Sequence, residues 1–224
     1  MKRIEDTSFL LVGAGGLGAP LALALRAAGA GRIVLVDDDI VDLSNLQRQI
    51  VYRTADVGRP KAEAAREALL ARPGTGRVET VRARFDAGSA RALVHDADVV
   101  CDGSDNLTTK FLVNDVALAE GRAFVIAGVL RASGQVFPVR PGVDACYRCL
   151  FEGPPEGELM TCADAGVFGA TCGEVAALQA RCAVALATDH DPQGLLGRVW
   201  LLEADGRRAL ALHRRAGCCQ EKVA

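Results

Sequence analysis

The run Gly13-Ala14-Gly15-Gly16-Leu17-Gly18 constrains this chain more than any other feature. It follows a short apolar stretch, Phe9 to Val12, and opens an Ala/Leu-rich stretch, Leu17 to Ala28, that stops before Gly29. Strand, glycine loop and helix in that order let the backbone approach a phosphate closely. The helix start then offers free N–H groups and a favourable dipole. The next apolar stretch, Arg32 to Val36, ends at Asp37, where a carboxylate can accept hydrogen bonds from ribose hydroxyls. Gly13, Gly15, Gly16, Gly18 and Asp37 are therefore candidate nucleotide-binding residues. The same fingerprint serves NAD- or FAD-dependent oxidoreductases, which stand as the rival class.

The pattern continues as strand and helix in alternation. Helical stretches are predicted from Pro60-Lys61 to Ala71 and from Asn106 to Ala119, and strands over 78–85, 98–102 and 124–127. Such alternation implies an α/β fold, a Rossmann-like, mostly parallel sheet with helices on both faces. After about residue 130 the texture changes. Gly134 to Val139 reads as an antiparallel strand, Glu174 to Ala187 as an apolar helix, and Arg198 to Leu202 and Arg208 to His213 as two short strands around Asp205-Gly206. This half has too few helices to bury a core alone, so it is read as antiparallel strands extending the same sheet. The 224 residues are then one domain, divided functionally into 1–130 and 131–224. The helix from Val175 to Ala187 is open to two readings, a subunit interface or a buried core element.

Composition removes other classes. Lys+Arg 26 against Asp+Glu 28 leaves a net charge of −2, so no basic surface calls for nucleic acid. No stretch approaches the roughly 18 apolar residues of a membrane span, and the N-terminus lacks a signal-peptide core, so a cytoplasmic protein is expected.

The residues after Asp37 separate the two nucleotide classes. The string Asp38 to Gln49 is dense in hydrogen-bonding groups. Arg48 can clamp a phosphate through two N–H groups, and Asn45 and Gln49 can complete the anion site. Lys61 adds a cation at the next helix start. Asp105, after the fourth strand, is suited to hold Mg²⁺ through one carboxylate plus phosphates and waters. These groups suit chemistry on a phosphoryl group. A hydride-transfer site has little use for them.

Eight cysteines are many for a reducing compartment, where metal binding or catalysis is a better reading than disulfides. Cys146 and Cys149 form a C-x-x-C pair, Cys218 and Cys219 are adjacent, and Cys162 lies in a glycine-containing stretch. Cys101, Cys172 and Cys182 sit in apolar surroundings and read as small buried hydrophobes.

Taken together, Gly13 to Gly18, Asp37 to Gln49 with Ser44-Asn45-Leu46-Gln47-Arg48-Gln49, Gly58 to Lys61, Asp102-Gly103-Ser104-Asp105-Asn106, Cys146-Tyr147-Arg148-Cys149 and Thr161 to Val167 resemble the ThiF/MoeB/HesA family. These are bacterial relatives of ubiquitin-activating enzymes. The resemblance covers nearly the whole chain from residue 9 and implies an adenylyltransferase. Such an enzyme uses ATP and Mg²⁺ to adenylate the C-terminal Gly-Gly carboxylate of a small ubiquitin-like sulfur-carrier protein and releases pyrophosphate, in thiamin, molybdopterin or related sulfur transfer. By similarity Asp37 binds ribose and Gly15 and Gly16 line the phosphate loop. Asn45, Arg48, Gln49 and Lys61 hold the triphosphate, and Asp105 takes the metal. The catalytic set is then Arg48, Lys61, Asp105 and Cys162, the last either a sulfur-transfer thiol or a passive one.

The resemblance also implies a structural Zn²⁺ on Cys146, Cys149 and two ligands near the C-terminus. Here Cys218 matches the third, and the fourth is Cys219 or Glu221, because the family's second C-x-x-C is altered. The segment from Phe151 to Gly169 is expected to fold over the carrier's tail. Three further expectations concern partners. The family is usually a homodimer. The early arginine that relatives send to a neighbour's ATP site is expected to be missing here, since Arg3 is the sole early arginine and is not assigned that role. Sulfur is expected from a separate donor protein. The remaining alternative is a degenerate relative that binds a carrier without activating it.

Overall fold

The computed structural model describes residues 2–153 and 166–218. One eight-stranded sheet runs through both halves of the chain, in the order β3-β2-β1-β4-β5-β6-β7-β8. The strands are β1 Ser8–Val12, β2 Arg32–Val36, β3 Arg77–Val81, β4 Val99–Asp102, β5 Ala123–Leu130, β6 Ser133–Val139, β7 Arg198–Glu203 and β8 Gly206–Ala211. The pairs among β1 to β5 are parallel, and those from β5 to β8 antiparallel. The expected extension of a parallel sheet by antiparallel strands is thus what the chain forms.

Both faces are covered. Phe9 and Leu11 of β1 pack into one core with Leu21 and Leu25 of α1 (Gly18–Ala27), Leu69 of α2 (Lys61–Leu70) and Val175, Leu178 and Cys182 of α6 (Gly169–Thr188). Leu10 and Val12 point the other way, toward Val94 of α3 (Ala90–His95), Phe111 and Val113 of α4 (Leu107–Ala119) and Tyr147 of α5 (Tyr147–Leu150). Strict alternation along a strand sends neighbours to opposite faces, and an apolar run is what a strand buried on both sides requires. Each such leucine contributes about 1.5–3 kcal/mol on burial.

The structure changes two readings of the sequence, adds one helix and decides one alternative. The strand expected over 78–85 ends at Val81, because β2 stops at Val36, its register partner, and no ladder partner remains beyond it. Helix α3 had no sequence signal: six residues are too few for periodicity, and its start is set by Asp86, whose carboxylate accepts from the N–H groups of Gly88 and Ser89. Helix α6 begins at Gly169, ahead of Glu174, although Gly169 and Gly173 read as breakers. At Gly169 a Cβ would stand 2.8 Å from the Gln47 carbonyl, so close packing explains the glycine. Of the two readings of this apolar helix, the core one holds, since Val175, Ala176, Leu178, Cys182 and Ala183 are buried within the chain. Among the described residues, no helix is long and apolar enough to cross a membrane.

The order places β1 between β2 and β4. From β1 the chain leaves to α1 on one face, and from β4 to α4 on the other. Diverging connections open a crevice beyond the carboxyl ends of these strands.

Candidate active site

The crevice is a cleft of about 1260 Å³, and its floor is the phosphate loop. Gly13 follows β1 with φ +94°, a conformation that favours glycine. At Gly18 a Cβ would lie 1.8 Å from the Gly13 carbonyl oxygen, so no larger residue lets the turn close. Gly13, Gly15 and Gly16 line the cleft; Gly18 lies behind them and opens α1. Among the described residues no side chain caps the α1 N-terminus. In its first turn the Ala19 N–H donates to the Gly15 carbonyl at 3.0 Å and Pro20 has no N–H, so the helix end favours an anion mainly through its dipole.

Asp37 locks this loop to β2. Its Oδ2 accepts from the Ala14 N–H at 2.7 Å and its Oδ1 from the Asp39 N–H at 2.9 Å. Burial pushes its carboxyl above the ordinary range, partly offset by those two N–H groups and by Lys61. Each oxygen keeps acceptor capacity toward the cleft. Behind the loop, the buried Tyr52 hydroxyl donates toward the carbonyls of Ala14 at 2.7 Å and Lys61 at 3.2 Å, joining the loop to α2. Burial raises the Tyr52 pKa, so the phenol stays a neutral donor.

The polar string lies along one wall. Asp42 starts a short 3-10 turn over Leu43–Asn45 by accepting from the Ser44 N–H. Asn45 Oδ1 accepts from Arg48 Nη2 at 2.7 Å, so the two side chains are oriented together. Gln49 is 3% exposed, and its Oε1 lacks a hydrogen-bond partner among the described residues while the residue lines the cleft. A buried amide oxygen without a partner is costly and marks a place where a ligand or water donor would be accepted. Lys61 Nζ lies 2.8 Å from Asp39 Oδ2 at the first turn of α2. Asp105 borders the cleft from the opposite side, on the β4–α4 turn. Thus Asn45, Arg48, Gln49, Lys61 and Asp105, drawn from three separate segments, face one space.

Beyond the phosphate loop the cleft continues past Gly128, Ser133 and Gln135 of the β5–β6 hairpin to Leu201 and Glu203 of β7. Its volume exceeds the roughly 300–1,000 Å³ of ordinary small-molecule pockets, leaving room for an extended second reactant. The hairpin tip is tied to the chain before α6: Arg131 N–H donates to the Gly166 carbonyl and Phe168 N–H to the Arg131 carbonyl, at 3.1 and 3.0 Å.

Several cleft residues carried no sequence signal. Ala83, Arg84 and Phe85 were expected in a strand; they turn away after Val81 and line the cleft beside Val36 and Asp38. Lys110 and Gln135 fall inside the predicted helix over 106–119 and the predicted strand over 134–139, where nothing in the sequence singles them out. Tyr52, whose hydroxyl anchors the loop, was likewise not singled out by the sequence.

The six described cysteines fall into two groups. Cys101, Cys172 and Cys182 are buried, and burial pushes the Cys182 thiol up to about 12. Cys146, Cys149 and Cys218 converge instead. Their sulfurs lie 3.9 Å (146–149) and 3.7 Å (146–218) apart. With Zn–S near 2.3 Å, a tetrahedral thiolate pair has an edge of about 3.8 Å. Cys162, Cys219 and Glu221 lie outside the described residues, as does most of the segment expected to cover the carrier's tail.

Residues 1–219 match the ThiF family. The chain belongs to the ThiF family. It is 41% identical over 208 residues to a probable adenylyltransferase/sulfurtransferase MoeZ of Mycobacterium tuberculosis, covering 91% of this chain and 53% of that protein. It is 42% identical over 185 residues to a sulfur carrier protein adenylyltransferase of Thermus thermophilus, covering 80% and 68%. This ThiF-family chain therefore spans about half the length of the mycobacterial relative. Among solved structures, E. coli MccB shares the fold with a TM-score of 0.85 at 21% identity, covering 96% of this chain and 67% of that one.

Proposed function

We propose that this ThiF-family protein is an ATP-dependent adenylyltransferase acting on the C-terminal Gly-Gly carboxylate of a ubiquitin-like sulfur-carrier protein. The observation that carries the reading is that one cleft joins a phosphate loop, the cations of Arg48 and Lys61 and the Asp105 carboxylate to a groove along the β5–β6 hairpin. The named relatives support the same chemistry. Family membership weighs against the oxidoreductase rival, which shares only the glycine loop and Asp37.

In this reading Asp37 accepts the ribose hydroxyls, and the α1 N-terminus with Gly15 and Gly16 takes the phosphates. Asn45, Arg48, Gln49 and Lys61 orient the triphosphate. A carrier carboxylate oxygen attacks the α-phosphorus, the bond to the bridging oxygen breaks, and that oxygen leaves with pyrophosphate. The product is an acyl-adenylate. Alignment of two anions and neutralisation of developing charge supply most of the acceleration. Lys61 leaves Asp39 for a phosphate when the nucleotide enters. Asp105 would hold Mg²⁺, which shields the phosphate charges when bound.

Zinc fits the thiolate cluster on its donor set and sulfur spacing. Cys146, Cys149 and Cys218 would hold it together with Cys219 or Glu221, tying the tail to α5. Cys162 keeps its two readings, a sulfur-transfer thiol supplied by a separate sulfur donor or a passive thiol. We further propose one domain over 1–224, a cytoplasmic location and a homodimer. Exposed Ile40, Leu43, Ile50 and Phe168 around the polar string support the dimer.

The test is mass spectrometry of thiamin-type, molybdopterin-type and cysteine-biosynthesis-type carriers after incubation with the protein, ATP and Mg²⁺. A gain of one AMP on a carrier is expected and names the pathway. ATP binding without any adduct would point to a degenerate carrier binder. No ATP binding would overturn the site.

A further inference from the structure

The ends of β4 and β5 are fastened by two polar side chains that the adenylation chemistry does not use. From α4, Lys110 reaches back beneath the β4–α4 turn, 4% exposed. Its Nζ donates to Asp102 Oδ2 at 2.7 Å, to the Ser104 carbonyl at 2.7 Å and to the Ala127 carbonyl at 2.5 Å. A lysine ammonium has three donors, and all three are engaged. From α6, on the other face, Gln179 Nε2 donates to the carbonyls of Asp102 and Val125 at 2.8 and 3.1 Å.

Stability alone is a weak reason for such a pair. A buried ion pair is often no better for stability than apolar residues of the same volume. What it does achieve is geometry. Asp102 Oδ1 accepts from both the N–H and the hydroxyl of Ser104, at 3.1 and 2.6 Å, while Lys110 holds the Ser104 carbonyl. On the other side of Asp105, Asn106 caps α4, its Oδ1 accepting from the Thr109 N–H at 2.8 Å. Asp105 thus stands on a turn whose two neighbours are both fastened, and Lys110 itself borders the cleft.

We infer that Lys110 is a positioning residue for adenylation: paired with Asp102, it sets the β4–α4 turn so that the Asp105 carboxylate meets a nucleotide-bound divalent cation. This rests on the metal role proposed for Asp105. Lys110 acts through the turn and does not touch the reacting atoms.

The test uses the full chain with Mn²⁺ as a spin probe, read by electron paramagnetic resonance in the presence of a non-hydrolysable ATP analogue. A fluorescent ATP analogue reports nucleotide affinity without metal. The variants are Lys110→Met and the double variant Asp102→Asn/Lys110→Met, which removes both charges together and leaves no buried carboxylate unpaired. Both are expected to raise Mn²⁺ half-saturation about tenfold or more, the range for losing a group that orients a metal ligand. Metal-free nucleotide affinity stays within about twofold, and Asp105→Asn added to Lys110→Met adds little, because the two act on one interaction. Should the single variant not fold, the double variant decides. Unchanged Mn²⁺ half-saturation in the folded double variant overturns the inference. So does an equal loss of metal-free binding, which would mean that the pair supports the whole cleft. Asp105→Asn without effect on Mn²⁺ brings down the metal role itself, and the inference with it.

Discussion

The two halves of the sheet solve different problems. In the parallel half, every residue of β4 is buried, and so are four of the five in β1. In the antiparallel half, β8 is exposed along all six residues. Parallel strands need crossover helices, so their faces are covered and all their carboxyl ends fall on one edge. That edge becomes the phosphate-loop side of the cleft. The antiparallel half needs no crossovers; its hairpins add a wall, Gly128 to Gln135 with Leu201 and Glu203, along which a second reactant can lie. Burial is thus concentrated on the phosphate-loop side, and the outermost strand is the exposed one.

The largest effect should come from the nucleotide edge. Arg48→Ala and Asp105→Ala are each expected to lower acyl-adenylate formation by about 10²–10³-fold or more, as removal of a charge-stabilising group does. Circular dichroism should show an unchanged fold. Near-normal adenylation by either variant would break the division of labour.

Stability should differ just as sharply between the halves. Leu11→Ala, at a fully buried position on β1, should cost about 2–5 kcal/mol in urea unfolding. Leu210→Ala on β8, half exposed, should stay within about 0.5 kcal/mol. Equal losses would erase the contrast.

A smaller and more local loss is expected from the thiolate cluster. Cys149→Ser should release zinc, seen by elemental analysis after chelator-free purification, and lower the melting temperature. Nucleotide affinity should hold within about twofold, since the cluster and the phosphate loop lie on separate parts of the sheet. Loss of nucleotide binding together with the metal would show that the halves are coupled.

The smallest effect concerns pH. The Asp37 carboxyl sits above its ordinary value because it is buried. Its ionised form is therefore the disfavoured one in the fold, and stability falls as pH rises from the ordinary carboxylate value through the raised one. Nucleotide binding rises over the same window, as the carboxylate becomes a full acceptor. Titration of nucleotide affinity should show this acid limb in the wild type and lose it in Asp37→Asn. A limb that persists in the variant would move the titration to another group.

Local patterns were legible wherever the chemistry is contiguous. The glycine loop, Asp37, the Asn45–Gln49 string and the C-x-x-C pair can all be read without a structure, because each depends on neighbours in the chain. The resemblance to the ThiF family rested on those same stretches. The ends of elements were less legible. Val81 ends β3 because β2 runs out at Val36, a fact about a partner strand. Gly169 enters a helix because the Gln47 carbonyl lies against it. Gln179 is a single amide in an apolar helix, and its spacing alone could not show that it holds β4 and β5 together.

By itself the sequence determined the alternation of strand and helix, the phosphate loop and the types of group around it. Short-range sterics and hydrophobic periodicity act between residues close in the chain. Only the tertiary structure decided which of those groups share one space. It brought Arg48, Lys61 and Asp105 to one cleft, Cys218 to Cys146, and Lys110 beneath the Asp105 turn. The reason is that strand order and register, which place residues far apart in sequence side by side, are set by how the two faces of the sheet are filled.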